Sequence, residues 1–222
     1  MKGPVDAGPV VNADTQPTEK LECQESLPPA TGLSQENPLR VIPRCQEGMY
    51  TCWATSAEMI LEYLGGGRVR QCDQANEAFH WQTCCGGNDL LILDPKCDSP
   101  WVPEFERWGY ENDFRSQVPL SYSDVMAEID AKRPFAFSWT ARAETAVTGA
   151  GTQAEPVRIS HMMVIIGYGV DPKSGVQTVT FLDPAPFRQT DPVIVPYSEY
   201  DGTTGAYEHA EDYYGVRPKL FP

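Results

Sequence analysis

A chain of 222 residues with 41% hydrophobic and 22% charged side chains is long enough for one large domain or two small lobes, and its composition is that of a folded, soluble protein. Its 31 acidic and 17 basic residues give a formal charge of -14, which argues against non-specific binding to nucleic acid or an anionic membrane, since both need basic surface. No run approaches the roughly 20 apolar residues of a membrane span, and the N-terminal MKGPVDAGPVVNADTQPTEK lacks the apolar core of a signal peptide.

Residues 1–38 are rich in Pro, Gly, Thr, Gln and Glu without apolar periodicity, and read as a flexible leader or linker that Cys23 could tie down. The remainder, 39–222, reads as one domain. From Cys52 the pattern turns helical: Trp53, Ala57, Ile60, Leu61 and Leu64 form one stripe, and Gly65-Gly66-Gly67 ends it. A short cysteine-rich stretch through Cys97 suits one helix and loops. PEFERWGY suggests a short helix, and SYSDVMAEIDAKRP a better one, with Ser121 and Asp124 at capping-box spacing and Pro134 beyond its end. After Pro134 come four β-branched or aromatic runs, FAFSWT, RISHMMVIIGYGV, VQTVTFLD and PVIVPY, the middle two separated by the turn residues DPKSG. Ala141 to Pro156 reads as a loop. Helices first and antiparallel strands second predict an α+β arrangement, with two lobes.

The seven cysteines are Cys23, Cys45, Cys52, Cys72, Cys84, Cys85 and Cys97. An odd number leaves one unpaired, and if that one is Cys52 the other six can form up to three bridges. Bridges imply an oxidising compartment, so the expectation is a secreted or periplasmic protein whose chain starts after a removed leader. Adjacent cysteines without C-x-x-C pairs or a histidine at ligand spacing argue against zinc, and neither metal nor cofactor is expected.

Cys52 stands where the helical pattern begins, at the positive end of a helix, where a thiolate is favoured. A cysteine nucleophile also needs a histidine to exchange protons, a group to orient that histidine, and donors for an oxyanion. Of three histidines, His80 lies in the loop-like EAFHWQTCC, and His209 in the acidic YEHAEDYY, where it reads as a solvated partner of carboxylates. His161 heads the most apolar strand, SHMMVIIGYG, and Asp183 ends the next, VTFLDP. Two antiparallel strands joined at DPKSG would bring His161 and Asp183 together. Gln46, six residues before Cys52, offers a side-chain amide to an oxyanion beside the Cys52 backbone N–H. Taken singly, each has an ordinary structural reading: a disulfide half, a core histidine, an Asp-Pro turn and a polar loop residue.

At these residues the chain resembles papain-like cysteine peptidases, particularly the bacterial branch that includes double-glycine leader peptidases and plant-pathogen effector proteases. The resemblance rests on the Gln46–Cys52 spacing, Trp53 after the nucleophile, CWATS leading the helix, HMMVIIGYG and FLDP. It departs from papain in carrying Asp183 where papain has Asn. The segment QCDQANEAFHWQTCCGGN…KC resembles a cysteine-bearing insertion of secreted bacterial members. The resemblance implies a papain-like two-lobed fold, with an N-terminal helical lobe carrying the nucleophile and a C-terminal antiparallel sheet lobe. It further implies a monomeric cysteine endopeptidase acting on protein or peptide substrates through Cys52, His161 and Asp183, with Gln46 in the oxyanion hole and Trp53 against substrate. The same triad serves acyl transfer in transglutaminase- or ligase-like enzymes. A reading of another class is a non-catalytic binding module with Cys52 in a disulfide.

Overall fold

The computed structural model describes residues 38–86, 94–141, 160–185 and 191–220. Apart from Pro38, the leader expected over 1–38 lies outside these residues, as do Cys23 and, beyond Ala141, the loop expected to run to Pro156.

Helix α1 (Cys52–Tyr63) ends where Leu64 gives way to Gly65, whose φ of 87° is a left-handed conformation that costs glycine little. The helix is enclosed on more than the expected stripe. Every side chain from Trp53 to Leu61 is buried, Thr55, Ser56 and Glu58 included. One side packs on the sheet and another on α2 (Gln71–Phe79). PEFERWGY forms only a 3-10 turn at Phe105–Trp108, after which the chain enters strand β1 (Tyr110–Ser116). In α3 (Tyr122–Asp130), the Ser121 hydroxyl accepts the Asp124 backbone N–H at 3.1 Å, as the capping signal predicts. The Asp124 carboxylate reaches Arg115 instead of closing the box.

Strands β2 (Phe135–Ala141), β3 (Ser160–Val170), β4 (Gln177–Leu182) and β5 (Val193–Pro196) match the four predicted runs. A short α4 (Tyr197–Tyr200) leads to β6 (Tyr207–Pro218). The six strands form one antiparallel sheet in the order β1-β6-β2-β3-β4-β5. The architecture is α+β. The core lies between α1 and the sheet, with Met59, Ile60 and Leu61 from the helix and Phe135, Phe137, Met163 and Ile165 from β2 and β3.

Two findings correct the sequence reading. Helices do not all precede strands, because β1 comes before α3 and pairs with the C-terminal β6. His209 is not solvated: its side chain is 2% exposed, since β6 runs inside the sheet and a register shift opposite Ser138 and Trp139 sets both His209 and Asp212 into the core. Its Nδ1 lies 3.1 Å from the Tyr200 carbonyl and its Nε2 3.2 Å from Asp212.

Candidate active site

The segment entering α1 is held from several directions. Arg44 makes a forked pair with Glu62 at 2.8–3.1 Å. The Gln46 backbone N–H donates to Pro184 O at 2.8 Å, joining this loop to the end of β4. Gln71, at the start of α2, uses its whole amide. Its Oε1 accepts from the Glu47 N–H (2.9 Å) and the Thr51 hydroxyl (3.0 Å), while its Nε2 donates to Cys45 O (2.9 Å) and Glu58 (3.2 Å). Asp98 accepts the N–H groups of Met49 and Tyr50 at 3.0 and 2.8 Å. Thr51 precedes the helix without capping it by its side chain, because the hydroxyl is turned to Gln71 and Gly48. Cys52 is therefore the first residue of a helix whose leading N–H groups lack both intrahelical partners and a side-chain cap.

The β3–β4 register pairs Val164 with Leu182 and Ile165 with Phe181. Continued one step, it sets Asp183 level with Met163, two residues from His161 on the same face of β3. His161 Nε2 lies 2.6 Å from Asp183 Oδ1, which also accepts the Ala185 N–H at 2.9 Å. The Cys52 thiol acts together with Asp183 on the charge of His161. The His161 side chain is 32% exposed and that of Asp183 7%. Burial alone would lower the histidine pKa. The hydrogen bonds and negative charge of Asp183 and Cys52 outweigh it and raise the imidazole to about 9. At neutral pH the ring is an imidazolium, able to give up a proton.

Gln46 is buried on the same side. Its Nε2 donates to Gly48 O at 2.8 Å and Met49 O at 3.0 Å, and its Oε1 has no hydrogen-bond partner among the described residues. Trp53, expected to lie against substrate, is buried. It is 2% exposed, packs edge-on against Phe79, and donates its indole N–H to Ser99 O at 3.1 Å. A residue following Cys52 on a helix packed against α2 is carried inward. His80 is exposed and caps α2 in a left-handed conformation.

A cavity of about 860 Å³ opens beside His161 and Asp183, bordered by Gln46 to Met49 on one side. Cys72–Cys85 and Cys84–Cys97 are disulfides, and Cys45 is also disulfide-bonded. Cys52 is free, which removes the reading in which it is half of a bridge. Cys72, Asp73 and Cys85 place ligand-type atoms within 4.8 Å of one another, but both sulfurs belong to one disulfide, so the group offers no thiolates to a metal.

A family model described as Peptidase_C39 like family matches residues 32–212. The chain belongs to that family. Membership places it at family level among cysteine peptidase-like hydrolases, and the matched span takes in Gln46, Cys52, His161 and Asp183. A search of curated proteins finds no match.

Sequence reasoning passed over Gln71, Thr51 and Asp98, which hold the loop before Cys52. Gln71 reaches Cys45, Glu47 and Thr51, and Asp98 reaches Met49 and Tyr50, across 20 to 49 residues of chain, and no local spacing announces such contacts. The one available signal was proximity to Cys72 and Cys97, whose disulfides fix the segment carrying them.

Proposed function

We propose that this Peptidase_C39-like protein is a cysteine endopeptidase with Cys52 as nucleophile, His161 as acid and base, and Asp183 as the group that orients His161. The observation that carries the reading is the free Cys52 at the start of α1 together with the 2.6 Å contact of His161 Nε2 with Asp183 Oδ1 on the neighbouring strands. The Cys52 sulfur adds to the peptide carbonyl carbon while its proton resides on His161 Nδ1. The oxyanion is met by the N–H groups at the start of α1 and by the Gln46 amide once it gives up the Gly48 and Met49 carbonyls. The tetrahedral species collapses by breaking the C–N bond, and His161 delivers its proton to the departing amine, leaving a thioester. Water then adds to the thioester carbonyl, losing a proton to His161. The C–S bond breaks, and the thiol recovers the proton as the acid product leaves.

The reading extends to a papain-like fold of two lobes within residues 39–222, to the bacterial branch of such enzymes, and to a leader over 1–38. The disulfides favour an extracytoplasmic site of action, and no described helix is long and apolar enough to cross a membrane. The expected substrate is a protein or peptide, handled by a monomer without a cofactor. The deciding experiment is alkylation of the non-reduced protein with an epoxysuccinyl peptide, followed by peptide mapping. One label per chain at Cys52, lost in His161→Ala, is the expected result; an accessible Cys52 that stays unlabelled overturns the reading.

A further inference from the structure

The sheet that carries His161 and Asp183 also builds the wall of a cavity beside them. On successive strands, residues two apart point to one face: Trp139 and Ala141 on β2, His161 and Met163 on β3, and Phe181 and Asp183 at the end of β4. Val193 and Val195 follow on β5, and all eight line the cavity. Trp139 is opposite His161 in the β2–β3 register. Tyr207 stacks on Trp139 with centroids 5.3 Å apart and planes 6° from parallel, and Phe181 meets the same indole edge-on at 5.4 Å. The floor is thus aromatic and the far wall branched aliphatic, a surface suited to a large apolar side chain.

Away from the His161–Asp183 pair, the charged groups around this floor are all acidic. Glu47 and Asp98 contribute carboxylates from the side of the loop before Cys52, and Glu199 contributes one from α4. No Lys or Arg is among the described residues lining the cavity. Three carboxylates bordering an apolar pocket complement a cationic group next to an apolar one.

The cavity touches His161 but not Cys52. In the proposed mechanism the acyl portion of the substrate becomes bonded to sulfur, whereas the departing amine lies against the imidazole that protonates it. A group seated next to the ring and away from the sulfur therefore belongs to the leaving-group side.

We infer that this cavity binds the residue just beyond the scissile bond, that it takes a bulky aromatic or branched apolar side chain there, and that it favours a basic residue next to it. The inference rests on the peptidase reading for the assignment of sides. It makes Trp139, Val195 and Glu199 specificity-determining residues.

The test uses the full chain carrying Cys52→Ala, in which no acyl transfer takes place, and three dipeptide amides with free amino termini: Phe-Arg, Gly-Arg and Phe-Glu. Calorimetry should show Phe-Arg amide binding about tenfold or more tighter than either other peptide. Val195→Trp, which fills the wall, should abolish that preference. Glu199→Gln, a milder change on a half-buried helix residue, should lower the preference for Phe-Arg over Phe-Glu several-fold without altering the melting temperature. Equal affinities for the three peptides, no heat from any at millimolar concentration, or an unchanged preference in a folded Glu199→Gln chain would overturn the inference. Because binding is read without the thiol, its failure is separate from that of the peptidase reading. An alkylated Cys52 with unselective peptide binding removes only the pocket's specificity, and selective binding beside an unreactive Cys52 removes only the chemistry.

Discussion

Asp183 holds His161 by a 2.6 Å hydrogen bond to Nε2 while the same oxygen receives the Ala185 N–H, so the carboxylate is fixed before it fixes the ring. It supplies both orientation and charge, and a single substitution tests them. Asn in place of Asp183 removes the charge. Peptide hydrolysis by Asp183→Asn at neutral pH is expected to fall by up to about 10⁴-fold, because an amide can turn its NH2 to the ring and hold the wrong tautomer. The alkaline limb of kcat/KM, expected near pH 9 in the parent where His161 loses its proton, should move toward neutrality. An unmoved limb would show that Asp183 does not sustain the imidazolium.

The same pair makes folding stability depend on pH. His161 is raised from 6.5 to about 9 in the folded chain. Below pH 6.5 the folded and unfolded forms both carry the proton, and the stabilisation is complete. Between 6.5 and about 9 the folded form holds a proton that the unfolded form has released, so stability falls as pH rises, and the contribution is gone above the upper value. Urea unfolding of His161→Ala beside the parent, at closely spaced pH values across that window, should show the downward slope in the parent only.

The parts of this molecule legible in its sequence are those whose signals are local. The start of α1, its glycine stop, the Ser121 cap and the apolar runs of β2 to β5 each follow from a few neighbouring residues. His161 and Asp183 could be brought together because one short turn joins their strands. β1 and β6 escaped for the opposite reason. YENDFRS and YEHAEDYY are polar enough to look exposed, and only the pairing of β6 between β1 and β2, far apart in sequence, makes them strands. Trp53 was placed by likeness to a motif, whereas its real neighbours, Phe79 and Ser99, come from a segment shaped by disulfides.

That hidden strand carries a buried polar knot. Asp212 is fully buried and accepts from the Tyr200 hydroxyl (2.9 Å to each oxygen) and the Leu120 N–H (2.9 Å), with His209 Nε2 at 3.2 Å. Asp212→Ala leaves the Tyr200 hydroxyl without its acceptor, the Leu120 N–H with only the Tyr200 hydroxyl (3.2 Å), and His209 without the neighbouring carboxylate. It should cost roughly 2–4 kcal/mol in urea unfolding. Asp212→Asn keeps one acceptor oxygen and should cost clearly less. A near-neutral Asp212→Ala would mean that Tyr200, Leu120 and His209 find other partners.

Gln71 makes four hydrogen bonds and ties α2 to Cys45, Glu47, Thr51 and Glu58. Gln71→Ala should destabilise by roughly 2–4 kcal/mol and loosen the loop before Cys52. Gln71→Glu should do worse despite its matching shape. It loses both donors and sets a second carboxylate against Glu58, which is fully buried. The ranking, read from melting temperatures at neutral pH, fails if the Glu variant is the more stable.

Gln46 raises the question of what its amide does during turnover. Its Nε2 holds two loop carbonyls at 2.8 and 3.0 Å in the resting structure, so donating to an oxyanion requires an exchange of partners. Removal of one oxyanion donor costs about 10²–10³ in kcat, and Gln46→Ala should fall in that range. Iodoacetamide alkylation provides the control, because sulfur displaces iodide there without generating an oxyanion. Gln46→Ala should therefore be alkylated at Cys52 within about twofold of the parent rate while peptide hydrolysis collapses. Gln46→Glu should be at least as poor in hydrolysis, since a carboxylate would face the Gly48 and Met49 carbonyls and repel a developing oxyanion. If alkylation falls in parallel with hydrolysis, Gln46 serves the thiol and the shape of its loop; if neither rate changes, the oxyanion is met by the backbone N–H groups of α1 alone.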